Sequence, residues 1–117
     1  MEDILIDVRK KLSEKGFIQN DLLTWGMKRE ASISLNRENV FFGIKDGEFM
    51  ILPFTDFNTV LYDQVKYYKK GEVEIKFLSF FGTFKITFKN GSKKKSTKYG
   101  LLAGREDIKE IILVFYD

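Results

Sequence analysis

The chain has 117 residues, no cysteine, no histidine and a formal charge of +3 from 20 Lys/Arg against 17 Asp/Glu. The two absences remove disulfides, thiol nucleophiles, the usual general base and the commonest metal ligands together, so catalysis and metal binding are disfavoured and no cofactor is implied. The length suits one domain with one core, and the longest apolar run, Ile111 to Tyr116, is far short of the ~20 residues that cross a bilayer.

The opening MEDILIDVRKK sets acids ahead of its apolar residues, the reverse of a secretory leader, and the expectation is a cytoplasmic protein without a membrane segment. DILIDVRKKLSEKG reads as a helix. Ile4, Leu5, Val8 and Leu12 share one face of a 3.6-residue period, Asp3 suits the N-terminal dipole, and Gly16 supplies the stop. FIQNDLLTWG follows as a further turn or an irregular connection, so residues 1–27 form a helical extension.

From Lys28 the period becomes two. REASISL alternates Ala31, Ile33 and Leu35 with Glu30, Ser32 and Ser34, the pattern of a half-buried strand. VFFGIKDGEFMILPF predicts two strands joined by a tight turn at Asp46-Gly47, with Pro53 at the end or edge of the second. Further on, Gly71, Gly82 and Gly91 separate four strand-like runs, the spacing of an antiparallel meander. In it Val73, Ile75 and Phe77 alternate with Glu72, Glu74 and Lys76, and Phe84, Ile86 and Phe88 with Lys85, Thr87 and Lys89. Strands thus fill residues 28–100. The chain closes on an amphipathic helix over 103–116, with Ile108, Ile111, Ile112 and Phe115 at the spacings of one apolar stripe.

An N-terminal helix, about seven antiparallel strands and a closing helix make an α+β domain whose twisted meander folds into two layers or a partly closed barrel. Over residues 28–117 this order resembles the pleckstrin-homology-like superfold, in particular small bacterial PH-like and GRAM-like domains. The stretches that carry the resemblance are IKDGEFMILPFTDF, the meander with its turns at Gly71, Gly82 and Gly91, and REDIKEIILVFY. It implies a split barrel capped by the last helix, and a binding module in place of an enzyme. The loop joining the first two strands, LNREN, holds Arg37 alone of the basic residues that such domains often place there.

Charge is unevenly spread. Residues 1–60 carry 8 Lys/Arg against 10 Asp/Glu, and residues 61–117 carry 12 against 7. The excess concentrates at Lys85, Lys89, Lys93, Lys94, Lys95 and Lys98, a stretch without an acid. A two-residue turn at Asn90-Gly91 sets Lys89 opposite Ser92, and Phe88 and Ile86 opposite Lys93 and Lys95; a bulged turn sets Ile86 opposite Lys94. Lysine beside an apolar row marks an edge strand guarded against aggregation, or, functionally, a strip that attracts the phosphates of nucleic acid or anionic lipid.

Leu78 and Phe80, in FLSFFGTF, fall on the face shared with Lys76 and Glu74, which makes them candidates for an apolar contact with a partner or a second copy. Tyr62, Tyr67 and Tyr68 offer either a stacking platform for bases or plain packing. Glu72 and Glu74 are a carboxylate pair in name but lie among lysines, as a salt-bridged wet face does. Gly104 precedes a helix without the Gly-rich repeat or Lys-Ser/Thr of a nucleotide cradle. The composite expectation is a non-catalytic module for protein–protein interaction or self-association. The alternative is an electrostatic binder of nucleic acid or anionic membrane.

Overall fold

The structure, a computed structural model, describes residues 2–19, 22–29, 39–56, 59–77, 83–90, 92–100 and 105–116. Helix α1 (Glu2–Glu14) is followed by strands β1 (Leu23–Arg29), β2 (Asn39–Lys45), β3 (Glu48–Asp56), β4 (Thr59–Val60), β5 (Lys66–Tyr68), β6 (Val73–Phe77), β7 (Thr83–Asn90) and β8 (Lys93–Gly100), and by helix α2 (Arg105–Tyr116). The fold is α+β. All pairings are antiparallel, in the order β4-β3-β2-β1-β8-β7-β6, with β5 also paired to β3. The sheet curls without closing into a barrel, since among the described residues β6 ends one side and β4 the other.

The eighth strand arises because the run after β3 is broken by a 3-10 turn at Tyr62–Gln64. Its two pieces pair with successive parts of β3, β5 with Phe49 to Ile51 and β4 with Phe54 and Asp56. Pro53 lies between those two pairings, and its carbonyl accepts the Leu61 N–H. A missing backbone donor costs least at such a gap, so proline is tolerated inside β3 and does not end it. The strands also begin earlier than position 28, at Leu23. The predicted strand REASISL lies outside the described residues apart from Arg29 at the end of β1.

Asp46 and Gly47 have φ of 53° and 78°, the left-handed pair of a type I′ turn, and Lys45 pairs directly with Glu48 across it. The hairpin so formed is dry on both faces. Val40, Phe42 and Ile44 of β2, with Phe49 and Ile51 of β3, join the core that α2 covers with Ile108, Ile111 and Phe115. Phe41 of β2, with Met50, Leu52 and Phe54 of β3, joins a second core that α1 covers with Val8 and Leu12. Alternation therefore sorts successive residues between two cores, and the strands read as continuous apolar runs.

α1 ends as its sequence directs. Gly16 has φ of 80°, the Phe17 N–H reaches the Leu12 carbonyl at 2.8 Å and the Gly16 N–H the Ser13 carbonyl at 3.1 Å, the two bonds of a Schellman cap. The segment beyond it is bonded to the sheet: Gln19 N–H donates to the Ile44 carbonyl (2.8 Å), Asp46 N–H to Gln19 Oε1 (2.5 Å), and Lys45 Nζ to the Gly16 carbonyl. Gly43 makes room for this segment, because a Cβ there would lie 2.7 Å from Ile18 Cγ2. At the far end of the sheet, the Tyr116 hydroxyl of α2 accepts the Ile75 N–H of β6 at 3.0 Å.

Candidate functional site

The β7–β8 hairpin carries the six candidate lysines, and its register decides what they do. Asn90 pairs with Lys93 and Lys89 with Lys94, so the turn lies one residue later than Asn90-Gly91. Phe88 then faces Lys95, and Ile86 faces Thr97. The shift is one residue in each strand, which preserves which side chains share a face.

β8 is an inner strand at its C-terminal end alone, since among the described residues Lys93 to Thr97 pair only with β7. Lys98 to Gly100 pair with Arg29 to Met27 of β1. The strand reconciles its lysines with an internal place by changing character along its length: Thr97, Tyr99 and Gly100 are buried, whereas Lys93 through Ser96 are exposed.

Four candidates, Lys85, Lys89, Lys94 and Lys98, lie on the polar face of the hairpin, and β6 extends that face. Lys76 pairs with Lys85, and Lys85 with Lys98, giving three lysines in one row across three strands. Lys89 and Lys94 form a second row. Between them runs a row of Glu74, Thr87 and Ser96, with 3.0 Å between the Thr87 and Ser96 hydroxyls. Glu74 lies 3.9 Å from both Lys76 and Lys89. Those pairs are solvent-exposed and worth little. Among the described residues no carboxylate forms an ion pair with Lys85, Lys94 or Lys98. Like charges directly opposite in a sheet are unfavourable, so these rows are not there for stability. Lys76 escaped the sequence reading, because only the β6–β7 register sets it beside Lys85.

Lys93 and Lys95 project to the other face, where the sheet curls round a groove of about 610 Å³. Its floor is apolar, with Val40 and Ile51 from the first hairpin and Phe88 from β7. Tyr68 of β5 and Phe88 meet across it, with ring centroids 5.1 Å apart. Lys66 of β5 and Lys95 of β8 also line it, with Asp63 and Gln64, and all four are exposed. Burial, then Glu72, raises the Tyr68 phenol above its usual pKa.

The three tyrosines do not form one platform. Tyr67 points to the α1 side and donates its hydroxyl to the Phe17 carbonyl at 2.9 Å, and Tyr62 packs on the Phe17 ring at 5.1 Å. Only Tyr68 faces the groove. Glu72 and Glu74 also separate: Glu72 accepts the Lys69 N–H at 2.8 Å, while Glu74 sits in the lysine field. Leu78, Phe80 and Gly104 lie outside the described residues. Among the described residues no three His, Cys, Asp or Glu side chains gather as metal ligands would, and no helix is long and apolar enough to cross a membrane. No family model, curated protein or solved structure matches the chain.

Proposed function

We propose that the protein is a non-catalytic binding module of pleckstrin-homology-like architecture that holds the phosphate backbone of a nucleic-acid duplex on its lysine rows. The architecture is supported by the meander order, by the β1–β8 pairing that brings its two ends together, and by α2 covering the concave core. The function rests on one observation, five lysines in two cross-strand rows with Glu74 as the single carboxylate between them among the described residues.

The rows are four residues apart along each strand, about 13 Å at the usual rise, with about 5 Å between neighbours across strands. Two parallel lines of charge separated by a neutral row suit the two backbones that border a groove. On β6, β7 and β8 the described residues of this face offer no aromatic ring, since Phe84 and Tyr99 are buried on the other side and Phe88 lines the groove. Single strands are held largely by stacking on such rings, which argues for a duplex. Lysine is a point charge without arginine's fork, so recognition is blind to sequence.

The test is fluorescence anisotropy with a short labelled duplex at several salt concentrations. With about four phosphates engaged, affinity falls roughly 150-fold between 50 and 200 mM salt, and replacing Lys85, Lys89, Lys94 and Lys98 by Gln removes most of that dependence. Replacing Lys93 and Lys95 instead leaves it. Binding to anionic vesicles but not to duplex would overturn the reading, as would no binding at the lowest salt.

Self-association has one observation of its own. On the outer side of α2, Leu113 is 72% exposed, beside Val114 and Tyr116 at 37% and 44%. If these residues pair two copies, the mass measured by light scattering rises with concentration and Leu113→Asp holds it at the monomer value. A mass independent of concentration would remove this reading.

A further inference from the structure

We infer that the concave groove is a second, independent site, one that takes a small amphipathic anion. It goes beyond the duplex reading and shares no lysine with it. Direct pairing puts Lys66 opposite Ile51 and Tyr68 opposite Phe49, so both β5 side chains look into the curl of the sheet. From the opposite wall, Lys95 enters from the position facing Phe88, in a strand row whose inner members, Thr97 and Tyr99, are buried and uncharged. A row that runs from buried ring to lysine as it nears the mouth is the profile of a pocket with an apolar floor and a cationic lip.

The volume, about 610 Å³, is that of a ligand site. Among the described residues Asp63 is the one carboxylate lining the groove, and it forms an ion pair with neither Lys66 nor Lys95, which leaves the two cations for a ligand. The apolar body of that ligand lies on Val40, Ile51 and Phe88, with the Tyr68 and Tyr99 rings beside it. Its carboxylate, sulfonate or phosphate head bridges Lys66 and Lys95. A cation of the same body meets two like charges and is rejected.

The experiment uses the full chain, labelled with nitrogen-15, and titrates it with dodecanoate and separately with dodecyltrimethylammonium, both below micelle-forming concentrations. Dodecanoate is expected to shift the amide signals of Ile51, Tyr68, Lys95 and Thr97 while the cation leaves them in place. Dodecyl phosphate, run in parallel, separates preference for a phosphate head from a carboxylate one. The double variant Lys66→Met, Lys95→Met keeps apolar stems and is expected to bind dodecanoate at least 10-fold more weakly, and Lys66→Arg, Lys95→Arg to restore it. Equal shifts from both detergents would overturn the proposal. So would shifts confined to the lysine rows of the other face, or unchanged affinity in the methionine variant.

Discussion

Ile111→Asp lowers stability by more than about 4 kcal/mol, whereas Leu113→Asp, on the same helix, stays within about 0.5 kcal/mol. Ile111 is fully buried in the concave core, between Ile108 and Phe115 on the stripe that α2 lays against the sheet. A carboxylate there has neither water nor a partner, so it either takes up a proton or drives the helix off, and both exact a cost beyond the lost apolar contact. Leu113 is 72% exposed, and aspartate in its place remains in water. Thermal unfolding followed by circular dichroism separates the two, with a fall of roughly 15 °C or more expected for the first and little change for the second. Equal midpoints would mean that α2 does not dock on the sheet.

Leu12→Ala is expected to cost about 2–5 kcal/mol, and Ile6→Ala less than about 0.5 kcal/mol. Leu12 is wholly buried in the second core, against the side chains that β1 to β3 send to that side, while Ile6 on the same helix is 54% exposed. The alanine leaves a cavity that the surrounding strands fill poorly, because they are pinned on their other face by the concave core. Urea midpoints for the two variants make the comparison. A small loss at Leu12 would show that α1 is an appendage that the sheet does without, as the description of residues 1–27 as an extension implies.

What the sequence showed of this fold was its local chemistry. The Asp46-Gly47 turn, the Gly16 stop, the stripe of α2 and the alternation of Val73 and Ile75 with Glu74 each depend on neighbours within a few residues, and each stands in the structure. Strand β1 was hidden because LTWGMKR has a glycine in the middle of its alternation, and the Asn20-Asp21 turn signal before it reads equally well as part of an irregular connection after α1. Its place is set by partners far along the chain, Gly43 opposite Leu23 and Gly100 opposite Met27.

The candidate site was legible as a set of lysines but not as an arrangement. Six lysines in one stretch read as a single strip, and the pairing of β7 with β8 divides them between two faces. Lys76 joined one face and Lys66 the other, both from strands that the local charge pattern did not connect to the hairpin. The groove had no signature at all, since its lining runs from Val40 to Tyr99 and comes together only where the sheet curls.

Phe41 and Phe42 are adjacent in the chain, yet they belong to different cores. The two interiors of the molecule are thus separated by the thickness of one backbone, and they have no seam along which to part. Stripping α1 away would wet the hydrogen bonds of the strands on which α2 rests, and loss of α2 would wet those same bonds from the other side. Helices from opposite ends of the chain are in this way made mutually dependent, so the molecule melts as one cooperative unit instead of shedding a layer at a time.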